Sequence, residues 1–75
     1  MQMVLDEYKV KLRMLQLRMD HYSDLAREAG ITDRTVRNVV GTGNWRAGTV
    51  LKIAVALQCS PLDLITVEQI GEPGI

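Results

Sequence analysis

The side chains that could do specific chemistry in this 75-residue chain cluster between positions 33 and 38. Asp33, Arg34, Arg37 and Asn38 are hydrogen-bonding residues that alternate with apolar positions at the spacing of a helix. Such groups can bond to base edges in the DNA major groove, where each base pair presents its own pattern of donors and acceptors. A helix that turns these four side chains outward would therefore fit the major groove.

Nothing in the sequence indicates an active site or a metal centre. One histidine, His21, and one cysteine, Cys59, cannot supply a disulfide or the usual zinc-ligand spacings. Paired carboxylates, a nucleophile beside a base and a phosphate-binding loop are also missing, since Gly41-Thr42-Gly43 is better interpreted as a turn. We therefore expect a protein that is not an enzyme and has no cofactor, metal or small-molecule substrate. Cys59 is expected to be a small buried apolar residue.

The distribution of charge is informative, although the chain is neutral overall. Between Asp33 and Asp63 there is no acidic residue. The basic residues in that interval are Arg34, Arg37, Arg46 and Lys52. A neutral chain can thus present one positive face. Charges interrupt the N-terminal segment and no apolar run approaches the ~20 residues of a membrane span, so we expect a cytoplasmic protein without a membrane partner.

Hydrophobic periodicity predicts five helices and no strand, and hence a compact all-α fold. The predicted helices cover residues 4–19, 22–29, 33–40 and 49–58, with a fifth that begins after a Ser60 cap. Pro61 and Asp63 in the first turn strengthen that last start signal. Residues 1–70 are expected to form a single domain, and residues 71–75 a flexible tail.

The first predicted helix has two apolar stripes on roughly opposite faces. One stripe consists of Leu5, Tyr8, Leu12, Leu15 and Met19. The other consists of Met3, Val10, Met14 and Leu17. One face can pack on the domain, and the periodicity does not decide which. The second stripe is either an exposed apolar surface or part of a dimer interface, with the C-terminal helix as the alternative dimer surface.

Residues 22–41 have the pattern of two short helices joined by a tight turn. The pattern is Leu25-Ala26-x3-Gly30-Ile31-Thr32-x2-Thr35-Val36-x2-Val39. Ala26 is small where the helices must cross, and Gly30 can adopt the positive φ of the turn. Thr32 is a good N-cap for the second helix. The valines anchor that helix and leave the four polar residues facing outward.

Together with residues 49–57 (TVLKIAVAL) and 60–65 (SPLDLI), this stretch resembles the Cro and lambda-repressor class of helix-turn-helix regulators, also called the xenobiotic-response-element class. The resemblance covers roughly residues 12–66, and its three motifs follow the order of that class. It implies a compact five-helix DNA-binding domain with its helix-turn-helix at residues 22–41. It also implies a sequence-specific regulator, a bacterial or phage-type repressor, that binds double-stranded DNA as a homodimer.

The resemblance further implies roles for individual residues. Asp33, Arg34 and Asn38 would read bases, and Arg37 would reach a base or a phosphate. Asp33 would accept a hydrogen bond from cytosine or only orient Arg34. The residues expected at the DNA backbone are Tyr22, Thr32, Thr35, Asn44 and Arg46. Tyr22 stands where the class usually has glutamine, and Trp45 either stacks near the DNA or covers the edge of the core.

A second hypothesis keeps the fold and changes the function. Zero net charge, Tyr22 in place of glutamine and an unpartnered apolar stripe would suit a protein-interaction module with weak or lost DNA binding. Such a module would be an antitoxin-like protein or an oligomerisation partner. Salt-dependent DNA affinity at low ionic strength would separate the two hypotheses.

Overall fold

The computed structural model describes residues 2–68. Its elements are strand β1 (Gln2–Leu5), helices α1 (Glu7–Gln16), α2 (Tyr22–Ala29), α3 (Asp33–Val39) and α4 (Ala47–Ala56), a 3₁₀ turn (Pro61–Asp63) and strand β2 (Ile65–Glu68). The expectation of a five-helix, all-α fold is therefore wrong for this part of the chain, which has four α-helices and a two-stranded antiparallel sheet. The predicted tail at residues 71–75 lies outside the described residues.

The first predicted helix is a strand followed by a shorter helix. In β1, Met3 lies opposite Val67 and Leu5 opposite Ile65 of β2. Asp6 then ends the strand and caps α1, because its carboxylate accepts a hydrogen bond from the Lys9 N–H at 3.1 Å. At the other end, Arg18 has a left-handed φ of 61°, so the helix stops before the predicted residue 19.

The other edge of β1 holds the segment that follows α3. The Leu5 N–H donates to the Thr42 carbonyl oxygen at 2.9 Å, and the Gly41 N–H donates to the Leu5 carbonyl oxygen at 2.7 Å. Gly41 has a φ of 83°, a conformation that glycine adopts without steric cost. β1 therefore joins the C-terminal segment of the chain to the end of the predicted DNA-reading helix.

The fifth predicted helix is wrong, although its start signal is real. The Ser60 hydroxyl accepts from the Leu62 N–H at 3.3 Å, and the Asp63 carboxylate accepts from the Ser60 N–H at 3.1 Å. A single 3₁₀ turn satisfies both bonds. The next residues include three that are β-branched in succession, Ile65-Thr66-Val67, which favour a strand and pair with β1.

The buried face of α1 belongs to the second apolar stripe. Val10 is fully buried and Met14 is 4% exposed, both in the main hydrophobic core. Tyr8, Leu12 and Leu15 of the first stripe are 73%, 40% and 71% exposed. A dimer interface built from the second stripe is therefore wrong, because its central residues lie inside the chain's own core. The alternative dimer surface, a C-terminal helix, does not exist among residues 61–68.

The core joins all four helices and both ends of the described chain. Its fully buried side chains include Leu5, Val10, Leu25, Val36, Ile53, Leu57 and Leu64. Each of α2, α3 and α4 contributes one apolar side to this core. Leu51 of α4 is not part of it and is 54% exposed.

The Arg13 side chain ties α1 to the C-terminal end of α4. Its Nε and Nη2 atoms donate to the Leu57 carbonyl oxygen at 3.1 and 2.8 Å, and Nη2 also donates to the Gln58 carbonyl oxygen at 3.3 Å. Carbonyl groups at a helix C-terminus lack intrahelical partners and attract cations. Arg13 therefore acts as a C-terminal cap supplied by another helix.

Replacement of Arg13 by alanine is expected to lower the free energy of unfolding by about 1–2 kcal/mol, because the α4 carbonyls lose charge-assisted hydrogen bonds. Urea denaturation followed by circular dichroism measures the change. The control is Arg18→Lys, which keeps the charge at an exposed site nearby. Equal stability of Arg13→Ala and the wild type would show that the cap contributes nothing.

Candidate nucleic-acid interface

α2 and α3 are joined by the tight turn that the sequence predicts. Gly30 has a φ of 72°, in the left-handed region, and its N–H bonds to the Arg27 carbonyl oxygen at 3.3 Å. The Ile31 N–H then donates to the Ala26 carbonyl oxygen at 3.0 Å. Ala26 is only 3% exposed, in keeping with a close approach of the two helices. A side chain with a Cβ would be strained at the φ of Gly30.

The N-terminus of α3 is capped as expected. The Thr32 hydroxyl oxygen accepts from the Thr35 N–H at 3.1 Å and lies 2.8 Å from the Thr35 hydroxyl oxygen. One of the two hydroxyl protons is used in the contact between the two side chains. The other hydroxyl proton is left to donate outward from the start of α3.

The apolar side of α3 is anchored and its polar side faces solvent. Val36 is fully buried and Val39 is 8% exposed, both in the main core. Arg34, Arg37 and Asn38 are exposed. The Arg34 side chain makes no hydrogen bond or ion pair with another residue of the described range 2–68. Its donors are therefore not used by this part of the fold.

Asp33 contacts Arg37 rather than Arg34. Its Oδ2 atom accepts from the Arg37 Nε at 2.8 Å, one helical turn further along. The second carboxylate oxygen of Asp33, Oδ1, is buried and has no hydrogen-bond partner among the described residues. The bond to Nε fixes the plane of the guanidinium group and leaves its two Nη atoms to donate elsewhere.

Tyr22 lies in a small polar cluster that the sequence pattern does not predict. Its hydroxyl group donates to the Glu7 carboxylate of α1 at 3.4 Å, and the same carboxylate oxygen is 3.0 Å from the Lys11 ammonium. The Lys11 nitrogen is 5.9 Å from the centre of the Tyr22 ring. Burial raises the pKa of the Tyr22 phenol, and the hydrogen bond to Glu7 raises the pKa of Lys11. At neutral pH the phenol is therefore a neutral donor beside an ammonium ion.

The loop between α3 and α4 places Asn44 and Arg46 at the surface, where both side chains are exposed. The Asn44 N–H bonds to the Thr42 hydroxyl oxygen at 3.2 Å. Trp45 packs against the core, and its indole N–H donates to the Met3 carbonyl oxygen at 3.2 Å. Of the two alternatives for Trp45, the structure shows the one in which it covers the edge of the core.

Sequence reasoning missed the residues of α1 and β1 that support this surface. Glu7 and Lys11 surround the Tyr22 hydroxyl, and Leu5 holds the segment after α3. Asp6 could have indicated the boundary between β1 and α1, because an N-cap residue after a short apolar run indicates that a helix starts there. The contacts to Tyr22 depend on how α1 packs against α2 and leave no local pattern.

The described residues offer little for other kinds of chemistry. Within residues 2–68, no group of three or more His, Cys, Asp or Glu side chains is placed to hold a metal ion. Cys59 is half-buried against the core, and burial raises the pKa of its thiol. His21 is exposed just before α2. No helix in this part of the chain is both long and apolar enough to cross a membrane.

The comparison with protein families bears out the sequence resemblance. The family model of the Cro/C1-type HTH DNA-binding domain matches residues 9–69, a span that includes α2, the Gly30 turn, α3 and α4. Neither curated proteins nor solved structures gave a match to the chain. Since the match covers most of the 75 residues, the chain belongs to the Cro/C1-type helix-turn-helix DNA-binding domain family.

Proposed function

We propose that the protein is a sequence-specific transcriptional repressor that reads the DNA major groove with α3. The observation that carries the proposal is the division of α3 into two sides. Val36 and Val39 are held in the core, so the exposed row of Arg34, Arg37 and Asn38 is presented on a fixed support. A pre-positioned donor row loses little conformational freedom when it binds bases. In this role the protein acts in the cytoplasm on the DNA it regulates, with residues 1–70 as its binding domain.

Within this proposal, Arg34 and Asn38 are the principal base readers. Arg34 has its full set of donors for guanine O6 and N7, and the Asn38 amide suits adenine N6 and N7. Arg37 reaches a base or a phosphate through its Nη atoms. Asp33 serves to orient Arg37 through Oδ2, and it can accept from a cytosine amine only if its buried Oδ1 becomes exposed on binding. Thr32, Thr35, Asn44 and Arg46 remain proposed contacts to the DNA backbone.

The protein is proposed to bind as a homodimer, because α3 alone reads too little DNA. Its seven residues span about 10 Å, which covers about three base pairs of B-DNA. So short a site occurs too often in a genome to specify a promoter. Two copies with reading helices ~34 Å apart would contact successive major grooves on one side of the duplex.

Selection of bound sites from random double-stranded DNA tests the proposed function. We expect an inverted repeat whose half-site centres lie about one helical turn apart. Sedimentation equilibrium of the complex should give two chains per site. Enrichment of no sequence, together with DNA affinity that does not change with salt, would contradict the proposal and favour the protein-interaction module.

One observation favours weak DNA binding and therefore supports the second candidate, the protein-interaction module. The Glu7 carboxylate accepts the hydrogen bond of the Tyr22 hydroxyl, the group expected at a phosphate. A phosphate at this position must compete with that carboxylate and is repelled by its charge.

Tyr22→Phe is expected to weaken DNA binding about two- to tenfold, the effect of one lost hydrogen bond. Glu7→Gln should have the opposite sign, because it removes the competing charge and releases Lys11. Fluorescence anisotropy with labelled operator DNA at several salt concentrations measures both. The matched control is Tyr8→Phe, which removes an exposed hydroxyl one residue after Glu7. A Tyr22→Phe protein with wild-type affinity would remove Tyr22 from the proposed interface.

A further inference from the structure

We propose that the outward side of α1 is a docking surface for an acidic amphipathic helix of another protein. The surface is centred on Tyr8, Leu12 and Leu15, which we name the α1 ridge. These residues follow one another at spacings of four and three, so they share one face of the helix. They are 40–73% exposed, whereas Val10 and Met14 on the opposite face are in the core. Apolar side chains grouped in this way on a surface mark interaction sites.

A groove runs along each side of the α1 ridge. One, of about 510 Å³, is lined by Leu15 with Met14 and Met19, and also by Asp20, Tyr22 and Arg37, so it borders the proposed DNA-binding surface. The other, of about 440 Å³, lies between α1 and the segment around the 3₁₀ turn. Leu12 and Cys59 line it, and its charged residues are Lys9, Arg13 and Asp63. Both are open to solvent. A ridge between two grooves is the shape on which the apolar face of a helix can be laid, with its side chains entering the grooves.

The charged residues around the α1 ridge indicate that the partner is acidic. Residues 8–19 contain four basic residues and no acidic one. The basic residues are Lys9, Lys11, Arg13 and Arg18. Lys11 is paired with Glu7, whereas the Arg13 guanidinium bonds to the carbonyl oxygens of residues 57 and 58 and to an uncharged glutamine. The two acidic residues that line the grooves, Asp20 and Asp63, are therefore outnumbered by Lys9, Arg13 and Arg18. A partner helix with Asp and Glu beside its apolar stripe complements this rim.

The same charges argue against a second copy of the chain as the occupant. An antiparallel contact of two α1 helices centred on Leu12 would place Lys11 of one copy beside Lys11 of the other, and Arg13 beside Arg13, because equal flanks of the helices face each other. Like charges opposed across an interface weaken it. A partner of different sequence, with apolar residues at helical spacing and an acidic rim, avoids that repulsion.

Two synthetic amphipathic helices test the proposal. They share one leucine stripe and differ only in rim residues, Glu in one and Lys in the other. Fluorescence anisotropy of the labelled peptides with the full-length protein, without DNA, is expected to show the Glu-rim helix binding about tenfold tighter or more. Leu12→Ser combined with Leu15→Ser should weaken its binding about tenfold or more. The matched control is Leu51→Ser with Val55→Ser, an exposed apolar pair on α4, which should change nothing.

Several results would overturn the docking proposal. Equal binding of the two peptides would remove the role of charge, and equal loss in the ridge and α4 variants would remove the role of the ridge. Loss of a homodimer in the ridge variant, measured by sedimentation, would assign the surface to a second copy. Ridge-dependent binding to anionic lipid vesicles without peptide binding would assign it to a membrane. Thermal unfolding checks that each variant is folded, and Leu15→Ser alone serves if the double variant is not.

Discussion

Replacement of both Arg34 and Asn38 by alanine is expected to weaken binding of the selected operator by about two orders of magnitude or more. Each good contact to a base edge supplies about 1–3 kcal/mol of discrimination, and here two are removed together. The fold should be unaffected, because both side chains are exposed and the anchors of α3 are the valines behind them. Anisotropy titrations with operator DNA and with random DNA of equal length measure the loss.

The comparison of the two DNAs shows what kind of contact is lost. Base readers contribute to operator binding and little to random DNA, so the double variant should bind both DNAs with similar weak affinity. Phosphate contacts would instead give the same fractional loss on both and a shallower salt dependence. Arg27→Ala, which removes an exposed charge from α2, is the control for charge alone. Unchanged operator affinity in the double variant would refute α3 as the reading helix.

The helix-turn-helix was predictable because its signals are local. α2 begins and ends at the predicted residues, and α3 ends one residue early. Gly30 and the Thr32 cap act within a few residues of themselves, so their bonds can be anticipated from sequence. The exposure of Arg34 and Asn38 follows from the same spacing. The Asp33–Arg37 ion pair could also have been predicted from the sequence, since residues four apart on a helix are neighbours.

The sheet was not predictable from local signals. β1 and β2 have four residues each, and Leu5 pairs with Ile65, which is sixty positions away in the chain. No short window contains both partners. At Ser60, the capping signal for a helix is equally well satisfied by one 3₁₀ turn. The conformation of the residues after the turn is decided by β1 at the other end of the chain, because an unpaired β1 would leave its backbone groups unsatisfied.

The orientation of α1 was ambiguous for a different reason. Both of its apolar stripes have helical spacing, so periodicity finds two possible inner faces and cannot rank them. Tertiary contacts decide: the side of α1 that lies in the core carries Val10 and Met14. Tyr8, Leu12 and Leu15 of the other stripe are left outside, and that is the origin of the α1 ridge. The same orientation of α1 places Glu7 beside Tyr22 and so shapes the functional surface.

The second large expected effect is on the free energy of unfolding, and it follows from the orientation of α1. Met14→Ala is expected to lower the free energy of unfolding by about 2–4 kcal/mol, because it leaves a cavity in the core. Leu15→Ala, one residue later, should change it by less than about 0.5 kcal/mol, because that side chain is 71% exposed. Chemical denaturation of the two variants measures the contrast. The total free energy of unfolding of a domain of this size is only about 4–11 kcal/mol, so the Met14→Ala loss is a large part of it.

Leu5→Ala extends the same test to β1. The side chain of Leu5 is fully buried, and its spacing in the sequence groups it with Leu12 and Leu15 on one helical stripe. Because β1 places Leu5 in the core, Leu5→Ala should resemble Met14→Ala, with a loss of about 2–5 kcal/mol, while Leu12→Ala costs far less. If residues 4–19 were instead one helix with Leu5, Leu12 and Leu15 inward, all three leucine variants would be strongly destabilised and Met14→Ala would be mild. The free energies of unfolding of the four alanine variants therefore distinguish a strand followed by α1 from a single helix over residues 4–19.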